Sequence, residues 1–107
     1  VRQYQKFTYT RSKRIMELYR TIPCQHCGAQ DGTVCGAHSN QAKHGHGRGI
    51  KASDEYCASL CHQCHYTLDQ GKGLTRDEKV SMWDRAHKKT MDILLPTIAH
   101  LRRSKAA

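Results

Sequence analysis

Bulky apolar side chains are scarce in this chain of 107 residues: it has one tryptophan and one phenylalanine, and hydrophobic residues make up 37% of the whole. A single domain of that length and composition buries a modest core and needs a staple of another kind. Long apolar runs are missing too. The longest, Ile93-Leu94-Leu95, is expected to stop at Pro96, which excludes a membrane-spanning helix. Residues 1–20 are polar and basic and lack the apolar stretch of a secretory signal, so a reducing, cytoplasmic location is expected. Acids are few: 9 against 18 lysines and arginines. The net charge of +9 predicts a polyanionic partner, and nucleic acid is the common one.

Cysteine, in contrast, is plentiful at six. Cys24-x-x-Cys27 and Cys61-x-x-Cys64 form two tight pairs, and a disulfide framework has no need of that spacing. Each pair can form a knuckle that points two sulfurs at one ion, and two knuckles close a tetrahedral shell. These four are therefore expected to hold a structural zinc whose binding contributes folding free energy. Cys35 and Cys57 are left over and read as small buried thiols.

Three parts are expected along the chain. Residues 1–20 form a basic arm, with Arg2, Lys6, Arg11, Lys13, Arg14 and Arg20, ending in a short helix over 11–20. Residues 21–95 form the zinc-stapled domain, and 96–107 a basic tail. Within the domain, short strands are expected at Thr33-Val34-Cys35 and from Tyr56 to Leu60, with a loop from Asn40 to Gly49. A helix should run from about Cys61 to Gln70 and stop at Gly71. Thr75 and Glu78 form a capping box that opens a further helix, whose stripe of Val80, Trp83, His87, Met91 and Leu94 should pack on the zinc core.

His38 lies between the cysteine pairs, in Gly36-Ala37-His38-Ser39-Asn40. His65 follows the second pair, with Asp69 four residues on and so on the same helical face. An imidazole and a carboxylate side by side can hold a divalent cation. A histidine facing them could act as general base while the cation polarises a phosphodiester. Lys43, His44, His46, Arg48 and Lys51 sit in a glycine-rich stretch free of acids, which reads as a phosphate-contacting loop.

Taken together, the CxxC pair, Ala37-His38, and Leu60-Cys61-x-x-Cys64-His65 resemble the HNH endonucleases of the ββα-metal superfamily. Ala37-His38-Ser39-Asn40, the basic loop, Ile50-Lys51-Ala52 and Cys64-His65-Tyr66-x-x-Asp69-Gln70-Gly71-Lys72 are more closely similar to small nuclease-like proteins of lambdoid phages and prophages, over about residues 20 to 95. The resemblance implies an α+β domain with a ββα core and flanking helices at both ends. It implies nicking or cleavage of DNA (duplex, branched or single-stranded) to leave a 5′-phosphate. It assigns His38 as general base and His65 as ligand to one catalytic cation, magnesium or manganese. Many HNH enzymes carry an aspartate ligand just before the base and an asparagine five residues before the second CxxC; here those positions are Ala37 and Tyr56. Asp69 as second ligand and Asn40 as an orienting residue are the expected replacements. A single site that cuts both strands would need a homodimer. The alternative is a zinc-dependent nucleic-acid-binding module without catalysis.

Overall fold

The computed structural model describes residues 10–47 and 51–106, and side chains as far as residue 103. Arg2, Lys6 and Arg48 of the expected basic regions lie outside the described residues. Helix α1 spans Lys13–Leu18 and tightens into a 3₁₀ turn over Tyr19–Thr21. Ser12 caps it, accepting the Ile15 N–H. Ile15 and Tyr19 are fully buried, so the short helix is held by its apolar face rather than by its length.

Strand β1 is Cys35–His38 and β2 is Cys57–Leu60. They pair antiparallel, with Cys35 opposite Leu60 and His38 opposite Cys57. The first strand starts two residues later than the run Thr33-Val34-Cys35 suggests. Asp31 occupies that approach instead, its carboxylate accepting from the Thr33 N–H and hydroxyl and building a turn. Helix α2 (His62–Gln70) follows β2 directly. Gly71 ends it at an ordinary negative φ. Glycine is needed there because a Cβ would collide with the Thr67 carbonyl, which accepts the Gly71 N–H at 3.0 Å.

Helix α3 runs from Arg76 to Ala106. The expected capping box forms: Thr75 N–H donates to Glu78 Oε1 at 2.9 Å and Glu78 N–H to Thr75 Oγ1 at 3.1 Å. Pro96 does not stop this helix. It removes one N–H from the ladder, but Pro96 is solvent-exposed and Leu94 and Ile98 on either side are buried, so packing carries the helix through. The segment expected as a tail is thus the last third of α3.

Alternation along the hairpin gives it two faces. Ala37, Ala58 and Leu60 join Cys24, Cys61, Cys64 and Leu68 in one core, to which α3 adds Met82, Trp83 and Ala86. Cys57 faces a second core with Ile15, Tyr19, Leu94 and Ile98. Helix α3 therefore passes from one face to the other along the outer edge of β2. On the way Thr90 Oγ1 accepts the Ser59 N–H and His87 Nδ1–H donates to the Cys57 carbonyl. The stripe expected to pack on the zinc core serves two cores instead.

Candidate metal centre and His38 site

The first knuckle is built by local hydrogen bonds. Gly28 N–H donates to the Cys24 carbonyl and Cys24 N–H to that of Ala29. Gly28 takes a φ of 83°, open to glycine at no steric cost. Gln25 N–H then donates to the Ser59 carbonyl at 2.8 Å, docking the knuckle on the edge of β2, the strand that delivers Cys61 and Cys64. One sulfur from each of the four cysteines falls within 4.8 Å of the others, and Cys27 Sγ lies 3.6 Å from Cys61 Sγ. A tetrahedral ion with metal–sulfur bonds of 2.3 Å would set sulfurs roughly 3.8 Å apart, so the donor set fits zinc.

The charges agree. Burial opposes ionisation of Cys24, but the Cys27, Cys61 and His26 N–H groups outweigh it and bring the thiol down to about 6. Burial and then the neighbouring thiols push Cys64 up. Cys35 and Cys57 stay outside this cluster. Burial raises both thiols, and the Asp54 carboxylate adds to the rise at Cys57, so both are protonated packing groups.

His38 ends β1 with its side chain on the face of Gly36, toward Tyr19 and away from α2. Asp54 meets it there. The Asp54 carboxylate accepts from His38 Nε2–H at 2.8 Å and from the Ser12 N–H at 2.6 Å, with the Arg11 guanidinium 3.8 Å away. An ionised carboxylate only accepts, so the proton sits on Nε2 and the lone pair on Nδ1. The imidazole is 17% exposed and Asp54 is almost wholly buried, which leaves the ring reachable and its partner fixed. Sequence reasoning missed Asp54. Its signal was slight: an acid following the basic loop in Lys51-Ala52-Ser53-Asp54.

His65 and Asp69 do share a face of α2, with Nε2 3.2 Å from the carboxylate. His65 Nδ1 lies 3.9 Å from Cys35 Sγ, on the hairpin face opposite to His38. The structure therefore brings His65 to Asp69 but brings neither to His38. Among the described residues the four cysteines are the only group of three or more side chains placed to share a metal ion. The pair on α2 supplies two donors and no third. That is an incomplete shell for a catalytic cation unless water and substrate oxygens complete it.

The expected phosphate loop is split. Lys43 and Lys51 are exposed, while His44 turns inward. Its ring stacks on Tyr56 at 4.8 Å and tilts against Trp83, and its Nδ1 is 2.6 Å from Ser39 Oγ. His46 is half-buried. Asn40 is exposed just beyond β1 and does not meet His38, as it borders the space between α2 and α3. No described helix is long and apolar enough to cross a membrane. No protein-family model, curated protein or solved structure matches the chain.

Proposed function

We propose that this domain is a metal-dependent DNA endonuclease, stapled by zinc at Cys24, Cys27, Cys61 and Cys64, with His38 as general base. The pairing of His38 with buried Asp54 carries this reading. A carboxylate on one imidazole nitrogen fixes the tautomer, orients the other nitrogen and stabilises the imidazolium that forms when a proton is taken from water. The zinc has four thiolates and no open position, so its role is structural. Magnesium or manganese held by His65 and Asp69 would neutralise phosphate charge on the α2 side of the hairpin, the face opposite His38. The excess of basic residues suits the polyanionic substrate. The resemblance to phage and prophage proteins favours a role in phage DNA recombination or processing.

A second reading has its own support. His38, on the hairpin, and the His65–Asp69 pair, on α2, lie on opposite faces of the hairpin, an arrangement that suits a zinc-stapled nucleic-acid-binding module without catalysis. Plasmid nicking by zinc-loaded protein, with and without added magnesium or manganese, separates the two. Nicking that requires the added cation and disappears in His38→Ala, with zinc content unchanged, supports the nuclease. Salt-sensitive DNA binding without nicking of plasmid, branched or single-stranded DNA would replace it by the binding module.

A further inference from the structure

Beside the hairpin, between α2 and α3, lies a cavity of about 160 Å³. Leu68, Val80 and Trp83 form its apolar part. The indole is already fixed: Nε1–H donates to the Ala37 carbonyl at 2.9 Å, and the His87 ring stacks on it at 4.6 Å. Gln41 stands at the mouth with Nε2 donating to Asp84 Oδ1 at 2.7 Å, which leaves its Oε1 as an oriented acceptor. Asn40, Arg76 and Lys79 complete the lining, and neither cation forms an ion pair among the described residues.

These features select a ligand. An apolar cavity of roughly 150 Å³ is the size that admits a single aromatic ring. Side-chain amides at the mouth suit a ring with polar edges. Two unpaired cations beside it suit an anion attached to that ring. A nucleotide combines all three. We infer that the cavity receives one unstacked nucleobase of a DNA strand, with the adjoining phosphates on Arg76 and Lys79. The inference deepens the nucleic-acid reading above and rests on it. A base inside a duplex cannot enter, so the pocket confers preference for single-stranded or branched DNA.

Trp83 is the chain's only tryptophan, so its emission reports on the cavity. Zinc-loaded protein is titrated with a short oligothymidylate, an abasic strand of the same length, the matching duplex and free thymidine monophosphate. The oligothymidylate is expected to bind about tenfold more tightly than the abasic strand, the scale of one buried base, and to change Trp83 emission. Val80→Phe, which fills the cavity, should erase that difference while keeping the affinity for the abasic strand. Equal affinities of the two strands with unchanged emission in the wild-type protein overturn the inference, whether or not the variant folds. So does a base-dependent difference that survives in folded Val80→Phe, or tight binding of the monophosphate without preference for the strand. Salt-sensitive duplex binding in those cases leaves the nucleic-acid reading standing. Failure to bind any of the strands removes both.

Discussion

Replacing Asp54 by alanine would break a junction on which three parts of the fold converge. Its carboxylate accepts from Ser12 at the start of α1 and from His38 at the end of β1. Its backbone N–H donates to the Thr10 carbonyl, and its carbonyl accepts from the Tyr19 hydroxyl. The alanine keeps the two backbone bonds and strands the Ser12 N–H and the His38 Nε2–H. A hydrogen bond to a charged group contributes about 1.5–3 kcal/mol net. The Arg11 contact adds little, because that side chain is 39% exposed and solvent screens it. The expected loss is about 3–6 kcal/mol, a large share of the roughly 5–15 kcal/mol that holds a domain together. In urea unfolding of the zinc-loaded protein, with an m-value of about 1.5 kcal/mol/M, the midpoint should fall by about 2–4 M. Asp54→Asn should lose roughly half as much, because its amide oxygen still accepts from Ser12. Its NH₂ would face His38 Nε2 and force the other tautomer, so nicking should fall far more than stability. A midpoint shift below about 0.5 M for the alanine variant would refute the junction.

Three further outcomes follow from the same structure. Cys24→Ser, or removal of metal by a strong chelator, should unfold the domain, since metal binding supplies folding free energy; a well-folded, zinc-free variant seen by circular dichroism and metal analysis would contradict the staple. Gly36→Ala should cost about 1–3 kcal/mol in thermal or urea melts, because its Cβ would stand 2.7 Å from the ring of fully buried Tyr19; unchanged stability would mean that the second core yields easily. Burial, with Lys43 and His87 beside it, lowers His44 below its ordinary value of 6.5. The fold thus favours the neutral ring, and the stability this contributes is complete above the unfolded value and lost as pH falls through the lower, folded one. His44→Gln should therefore flatten the loss of stability between about pH 7 and pH 5; an unchanged slope would refute that role.

What the sequence determined by itself was local. CxxC spacing selects a knuckle within four residues, and the two pairs specify a closed shell wherever they meet. Thr75 and Glu78 start α3 through bonds between near neighbours. The His65–Asp69 contact follows from one turn of helix. Tertiary packing decided the rest. Strand alternation turned His38 away from α2, and a partner sixteen residues later in the chain, Asp54, met it there. Buried neighbours on both sides of Pro96 carried α3 past the expected break and across two cores. His44 left the basic loop to stack on Tyr56 beside Trp83. None of these could be read in advance, because each depends on which face a side chain takes and what the remote chain brings to it. Periodicity sets the face only once register is fixed, and register here is fixed by long-range contacts.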